Sequence, residues 1–217
     1  MEKTIIYVET AEDKMEERKT LSVRVLGETL TLRTRPGLFS PEHVDRGTLA
    51  MLSRAELRPG MRVMDLGCGC GVVGIVAAKK CGAENVVLAD VDPLAVQTAR
   101  ENAADNGVGN VKIVLSDGFS AVDEAGFDLI LSNPPYQSDF SVAKRFIEKG
   151  FNRLKVGGRM MMVTKRLDWY RNRLRAVFGG VRVEQVDGYF VFTAERRSLS
   201  YASAAKKARK NEQLKMN

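Results

Sequence analysis

Apolar and polar residues alternate along two short segments near the N-terminus. The alternation over residues 21–26 and 29–34 predicts two β-strands, and Gly27-Glu28 between them predicts a hairpin turn. The preceding residues 9–19 are polar and charged, so we expect them to be irregular.

The apolar period changes after this hairpin. Ser40-Pro41-Glu42 is typical of a helix start and predicts a helix over about 43–56. From residue 61 onwards, short apolar strands alternate with helical segments. The predicted strands cover residues 62–66, 85–90, 111–117, 127–133, 158–164, 181–187 and 189–195. The predicted helices cover residues 72–81, 93–107, 139–153 and 168–178.

Repeated strand–helix units are typical of a parallel sheet with helices on both faces. Only Gly188 separates the last two strands, which therefore predict an antiparallel hairpin. We predict an α/β fold with a mostly parallel, seven-stranded sheet. It divides into an N-terminal extension over 1–60, an α/β domain over 61–197 and a tail over 198–217.

Composition narrows the class of protein. A chain of 217 residues with 44% hydrophobic and 28% charged residues is typical of one globular domain. No apolar run approaches the roughly 20 residues that cross a membrane, and the charged N-terminus does not resemble a secretory signal. We expect a cytoplasmic monomer with no membrane partner.

The net charge of +7 is concentrated at the C-terminus. Residues 196–217 contain seven Lys or Arg and one Glu, which gives +6, whereas residues 1–195 contain 27 basic and 26 acidic side chains. Such a tail favours contact with nucleic-acid phosphates, but it is equally typical of a solvated chain end.

Cysteine and histidine are too few for a zinc site. Cys68, Cys70 and Cys81 are the three cysteines and His43 is the single histidine, so we predict neither a metal nor a disulfide framework. His43 is more typical of a surface position than of a ligand contact.

A glycine-rich turn follows the first strand of the α/β domain. Asp65-Leu66-Gly67-Cys68-Gly69-Cys70-Gly71 precedes Gly74, and Asp90 ends the next strand. Glycine lets a backbone approach a ligand closely, and a carboxylate at the second strand end can hold two ribose hydroxyls. The spacing also fits a dinucleotide site. Asp65 would repel a pyrophosphate but suits an ammonium group, so S-adenosylmethionine is favoured over NAD.

Asp117, after a later strand, supplies a second carboxylate suited to an adenine amino group. Both Asp65 and Asp117 could instead act as helix caps at strand–helix turns.

Asn133-Pro134-Pro135-Tyr136 directly follows the strand over 127–133. Successive prolines restrict the backbone, and the Asn133 side-chain oxygen and the Pro134 carbonyl can both accept hydrogen bonds from one NH2 group. Such bonds would localise the lone pair of a conjugated amine for attack on a methyl group, and Tyr136 could stack on a planar target. An ordinary Pro-Pro turn is the alternative.

With these motifs, residues 61–136 resemble the class I, Rossmann-like, S-adenosylmethionine-dependent methyltransferases that act on amines. Residues 35–40 and 44–48 resemble the entry segment of the small-subunit rRNA guanine-N2 methyltransferases and their short relatives. Residues 155–158 and 188–192 resemble later strands of the same group. The resemblance covers about residues 20–195. We expect no counterpart of the duplicate N-terminal domain of the long members in this sequence, and Tyr136 and Thr48 stand where Phe and Ser are frequent.

The resemblance implies a role for each matching residue. Asp45, Gly47 and Thr48 would line the methionine end of the cofactor, Asp90 would hold its ribose and Asp117 its adenine. The target would meet Asn133, Pro134, Pro135 and Tyr136. The full predicted cofactor set is Asp45, Gly47, Thr48, Asp65, Gly67, Cys68, Gly69, Gly71, Asp90, Val91, Asp117, Gly118, Phe119 and Asn133.

Basic and aromatic residues alternate near the fifth strand of this domain. Trp169 and Tyr170 lie among arginines, which suits RNA contact, although packing of a helix on the sheet explains the aromatics as well. Lys165 and Arg166 end the strand over 158–164, where we favour a substrate role.

We therefore predict methylation of an exocyclic amine in RNA, with guanine N2 of small-subunit rRNA as the lead hypothesis. Adenine N6 and a protein glutamine side chain are alternatives, because both present a planar NH2 group. A catalytically silent RNA-binding protein of the same fold is the alternative from another class. A dehydrogenase would leave residues 133–136 unexplained.

Overall fold

The computed structural model describes residues 7–13, 18–135 and 140–201. Seven strands form the main sheet in the order β6-β5-β4-β7-β8-β10-β9. They are β4 (Val63–Leu66), β5 (Val86–Asp90), β6 (Lys112–Leu115), β7 (Phe127–Ser132), β8 (Leu154–Thr164), β9 (Arg182–Val186) and β10 (Tyr189–Glu195).

The predicted fold class is confirmed. Strands β4 to β8 pair in parallel, whereas β10 is antiparallel to both β8 and β9. The helices are α1 (Arg46–Leu52), α2 (Val72–Cys81), α3 (Pro93–Asp105), α4 (Ser141–Arg153) and α5 (Asp168–Phe178). Among the described residues, no helix is both long and apolar enough to cross a membrane.

The central strands are buried on both faces because their successive side chains point to opposite cores. In β7, Leu129 and Leu131 pack with α2 and α3, whereas Ile130 packs with α4 and α5. This burial explains why these strands have continuous apolar sequences rather than alternating ones.

The N-terminal extension is a three-stranded antiparallel sheet and not only a hairpin. It comprises β1 (Tyr7–Asp13), β2 (Arg18–Val25) and β3 (Glu28–Thr34). The expectation that residues 9–19 are irregular is wrong for 9–13 and 18–19, because backbone pairing with β2 and β3 recruits polar residues that show no apolar period. The turn lies at Leu26-Gly27, one residue earlier than predicted, and both residues have positive φ.

Helix α1 is shorter than the predicted helix over 43–56. Asp45 caps its N-terminus by accepting from the Thr48 backbone N–H at 2.8 Å, so the helix begins at Arg46 and ends at Leu52. Ser40-Pro41-Glu42 is a turn in which Ser40 Oγ donates to the His43 carbonyl. A side-chain cap closer to the buried segment therefore sets the helix start.

Two asparagines, one in α3 and one at its C-terminal cap, join the extension to the main domain. Asn102 and Asn106 each accept from and donate to the backbone of one β3 residue, Arg33 and Thr31 respectively, at 2.7–3.0 Å. Asn102 Nδ2 also donates to the Cys70 carbonyl at 2.9 Å. These amides pair with the outer edge of β3 in the way that another strand would.

The described chain continues past the predicted domain end at residue 197. The Tyr201 ring packs edge-on against Phe151 at 4.9 Å, and its hydroxyl donates to the Glu148 carbonyl at 2.8 Å. Residues 202–217 of the predicted tail lie outside the described residues.

Candidate functional site

A cavity of about 480 Å³ opens at the carboxyl ends of β4, β5 and β7. The carboxyl edge of a parallel sheet is where ligands bind in folds of this class, and the volume is in the range of small-molecule sites. Thirteen of the predicted site residues line it: Asp45, Thr48, Asp65, Gly67, Cys68, Gly69, Asp90, Val91, Asp117, Gly118, Asn133, Pro134 and Pro135.

The glycine-rich turn forms the floor of this cavity. Gly67 N and Cys68 N donate to the Ala89 carbonyl at 2.8 and 3.1 Å, which holds the turn against β5. A Cβ at Gly74 would lie 2.2 Å from the Leu88 side chain, so glycine there permits α2 to pack directly on β5. Gly67, Gly69 and Gly71 all have positive φ, a backbone conformation that glycine adopts without strain, so the turn depends on glycine for its path.

Asp65 is buried beneath the turn and has two functions available to it. Its Oδ2 accepts from Gly74 N at 2.8 Å, so it caps the first turn of α2 as well as facing the cavity. Burial raises the pKa of Asp65 to about 7, with a further contribution from the Asp90 charge, while the Gly74 N–H opposes the shift. A cationic group in the cavity would stabilise its charged form.

Asp90 is oriented by backbone donors at the end of β5. Its Oδ2 accepts from Gly69 N at 2.8 Å and its Oδ1 accepts from Asp92 N at 3.0 Å. Those two bonds fix the carboxylate beside the cavity, and carboxylate oxygens retain further acceptor sites for ligand hydroxyls.

Asp117 also borders the cavity and forms an ion pair. Arg145 of α4 donates to both of its carboxylate oxygens at 3.2–3.3 Å, and both side chains are about half exposed. Among the described residues, the structure shows no helix capped by Asp117, which leaves the cap hypothesis without support. A ligand amino group would share this carboxylate with Arg145.

Asn133 contacts two residues of the α1 cap. Its Nδ2 donates to Asp45 Oδ1 at 2.7 Å and to Thr48 Oγ1 at 3.0 Å. The Asn133 Oδ1 atom is buried and has no hydrogen-bond partner among the described residues. A buried acceptor of this kind is costly unless a ligand satisfies it. Tyr136 lies outside the described residues.

Three predicted cofactor residues do not line the cavity. Gly71 is the residue before α2, and Gly47 is packed so closely that a Cβ there would lie 2.8 Å from the Tyr189 ring. Phe119 is buried in the core beside α4, with the Arg153 guanidinium over its ring. The aromatic side chain of Phe119 thus contributes to packing in this structure.

The sequence analysis missed the contribution of α4 to the cavity. Val142, Arg145 and Phe146 line it from a helix that follows residues 136–139, and Leu21 and Leu32 line it from the N-terminal sheet. The sequence analysis predicted only a helix over 139–153, because no motif in that segment points to a ligand. His43, expected at the surface, is exposed and also borders the cavity.

Aromatic and cationic side chains lie beyond the end of β8. The Phe140 and Trp169 rings stack at 4.3 Å, and the Arg166 guanidinium lies over Phe140 at 5.1 Å. Lys165 Nζ lies 5.0 Å from the Tyr189 ring. Tyr170 is buried in the core, so packing is the correct explanation for this aromatic.

The sequence profile described as "Methyltransferase small domain" matches residues 29–193. The chain belongs to the methyltransferase small domain family. The resemblance inferred from the motifs is thus confirmed. The matched residues include both the α1 cap and Asn133 at the end of β7.

Named relatives extend the comparison. The chain is 36% identical over 160 residues to ribosomal RNA small subunit methyltransferase C of Hahella chejuensis, an alignment that covers 72% of this chain and 46% of that protein. It is 32% identical over 186 residues to the uncharacterized protein YbxB of Bacillus subtilis, covering 82% and 92%. The chain therefore spans about half the length of the rRNA methyltransferases it matches.

A solved methyltransferase has a similar structure. The Thermus thermophilus 16S rRNA N2 G1207 methyltransferase, in complex with AdoMet and guanosine, superposes with a TM-score of 0.75 and 26% identity. The match covers 88% of this chain and 58% of that one. A guanine-modifying enzyme is thus similar to this chain in both fold and sequence.

Proposed function

We propose that the protein transfers a methyl group from S-adenosylmethionine to N2 of a guanine in small-subunit rRNA. The observation that carries the proposal is the buried Asn133 Oδ1 at the edge of the cavity, which has no hydrogen-bond partner in the part of the chain that the structure describes. An exocyclic NH2 group would supply the hydrogen bond that this atom lacks. The matching rRNA methyltransferases and the guanosine-bound structural neighbour support guanine as the base.

The cavity residues fit S-adenosylmethionine. Asp65 can meet an ammonium group, Asp90 has acceptor sites for two ribose hydroxyls, and Asp117 can accept from an adenine amino group. The same acidic set would repel a diphosphate. When bound, S-adenosylmethionine supplies an electrophilic methyl group on its sulfonium.

The chain's own residues act on the target amine. In this proposal Asn133 Oδ1 accepts one hydrogen of the NH2 group, and the carbonyl of Pro134, which also lines the cavity, accepts the other. These bonds draw the hydrogens out of the base plane and localise the nitrogen lone pair, so that it becomes nucleophilic. Orientation and charge stabilisation therefore drive the reaction, and a strong general base is not required.

Charge at the site favours RNA over a protein glutamine. Arg46 follows the cap residue Asp45, and Lys165 lies over the Tyr189 ring, which packs against Gly47. Arg166 lies over the ring of Phe140, the residue before α4. Among residues 18–135 and 140–201, these three cations form no ion pair with a carboxylate. By contrast, Arg159, Arg182 and Arg197 at the opposite edge of the sheet all pair with glutamates. Uncompensated cations beside the site suit the phosphates that flank a target base.

Methyl transfer to defined substrates tests this proposal. The protein should transfer labelled methyl from S-adenosylmethionine to small ribosomal subunits or naked rRNA, and nucleoside mass spectrometry should detect N2-methylguanine. Asn133→Ala is the matched inactive control. N6-methyladenine as the sole product would overturn the guanine assignment but keep the mechanism. A ring-carbon or ribose methyl would overturn both, and label confined to protein would favour a glutamine target.

A further inference from the structure

We propose that Asp45 and Thr48 are positioning residues that set the amide orientation of Asn133, an inference that rests on the proposed function. The two ends of an asparagine amide are almost equal in size, so packing alone does not decide which end faces the cavity. Hydrogen bonding decides it, because the oxygen only accepts and the nitrogen only donates.

Both hydrogens of Asn133 Nδ2 are directed at acceptors of the α1 cap. Asp45 Oδ1, at 2.7 Å, is a carboxylate oxygen, and Thr48 Oγ1, at 3.0 Å, is a hydroxyl oxygen. If the amide were flipped, its oxygen would face the Asp45 carboxylate, and two acceptors would be in contact. The Asp45 carboxylate therefore enforces the observed orientation, which leaves Oδ1 without a partner among residues 18–135 and 140–201 and available to an amine.

The α1 cap holds Asp45 in the position that this orientation requires. Asp45 Oδ1 also accepts from Thr48 N at 2.8 Å, so one oxygen receives both the helix cap bond and the Asn133 bond. A Cβ at Gly47 would lie 2.9 Å from the same oxygen. Residues 45, 47 and 48 thus cooperate: Asp45 and Thr48 accept, and Gly47 leaves the space.

This role differs from the cofactor contact implied by the family resemblance, and the two can be separated. A cofactor contact would change S-adenosylmethionine affinity. A positioning role predicts normal affinity and a slower chemical step, because the reactive amine meets a poorly oriented Asn133.

Single-turnover kinetics with saturating S-adenosylmethionine and RNA are the main test. Thr48→Val keeps the side-chain shape but removes the acceptor and should lower the rate about tenfold. Asp45→Asn can donate to a flipped Asn133 and should lower it about 100-fold. Thr48→Ser, which keeps the hydroxyl, should recover most of the loss relative to Thr48→Val. Asp187→Asn, in an exposed turn, and Thr193→Val, in β10, are matched controls for the chemical changes.

Two further measurements keep the proposal falsifiable. In an Asn133→Ala background, Thr48→Val should cause no additional loss of rate, because its partner is absent. In nuclear magnetic resonance spectra of the protein without RNA, the Asn133 side-chain NH2 signal, identified by its loss in Asn133→Ala, should shift and exchange faster in Thr48→Val.

Multiplicative rate losses in the double variant, or weaker S-adenosylmethionine binding with an unchanged saturated rate, would overturn the proposal. An unperturbed Asn133 signal in Thr48→Val would do so as well. If the wild-type protein methylates no RNA, the proposed function fails, and the resonance measurement by itself still decides whether Thr48 orients the amide.

Discussion

Substitution of Asp65 by asparagine should make the protein more stable at neutral to alkaline pH while weakening cofactor binding. The Asp65 carboxyl is buried, and its pKa is raised from 3.8 to about 7. Between these two pH values the folded state holds a proton that the unfolded state has released. The free energy of unfolding of the wild type should therefore fall as the pH rises through this window.

The size of the effect follows from the same two values. A tenfold change in an ionisation constant corresponds to about 1.4 kcal/mol, so ionisation of Asp65 costs on the order of 4 kcal/mol of folding free energy above pH 7. Relaxation of the cavity reduces the measured part of this cost. The asparagine side chain of the variant would keep an oxygen that can accept from Gly74 N without carrying a charge.

Urea unfolding of wild type and Asp65→Asn at pH 5 and pH 8 measures this contribution. Between pH 5 and pH 8 the stability difference between the two proteins should change by about 2–3 kcal/mol in favour of the variant. Asp128→Asn is a suitable control. Lys155 and Arg62 lower the pKa of Asp128 against the effect of burial, so this carboxyl stays ionised from pH 5 to pH 8. Its contribution to the free energy of unfolding should therefore be constant over this range. An equal stability difference for Asp65→Asn at both pH values would refute the reasoning.

Calorimetry tests the ligand side of the same argument. An ammonium group beside Asp65 lowers its pKa, so S-adenosylmethionine should bind more tightly as the pH rises to about 7 and should release protons on binding near that pH. Asp65→Asn should abolish this proton release and weaken binding.

Three further predictions concern other parts of the molecule. Asp90→Ala should weaken S-adenosylmethionine binding in calorimetry. Asn133→Ala should bind S-adenosylmethionine normally and turn over about 100-fold more slowly. Normal turnover in Asn133→Ala would contradict the proposed mechanism. Asn102→Ala should lower the free energy of unfolding in urea by about 2–3 kcal/mol, because Arg33 and Cys70 lose buried partners. The control Asn110→Ala, at an exposed turn position, should have little effect on the free energy of unfolding. Residues 202–217 carry five basic residues and one acidic residue. Their deletion should leave the melting temperature unchanged and make RNA binding less dependent on salt. Deletion from residue 198 should also destabilise the protein, because Tyr201 is lost. Equal salt dependence for the full chain and the 1–201 chain would identify the tail as a solvated end.

The sequence by itself determined the elements whose information is local. Helices α2 and α5 have the predicted bounds, because their apolar spacing and the glycines beside them lie within or next to the segment itself. The glycine-rich turn, Asp90 and Asn133 were identifiable for a related reason. A backbone that must approach a ligand, or a carboxylate at a strand end, restricts the residue type at that one position.

Only the tertiary structure decided the features that depend on partners distant in the chain. The polar segment 7–13 forms β1 because its backbone pairs with that of β2. Helix α1 begins after Asp45 because the Asp45 carboxylate caps its N-terminus. Arg145 reaches the cavity because α4 packs beside the main sheet. The contact between Asn133 and the α1 cap joins residues 85–88 positions apart. Hydrogen-bond geometry of this kind leaves no period in the sequence, since each side chain is chosen by a neighbour that only folding brings within reach.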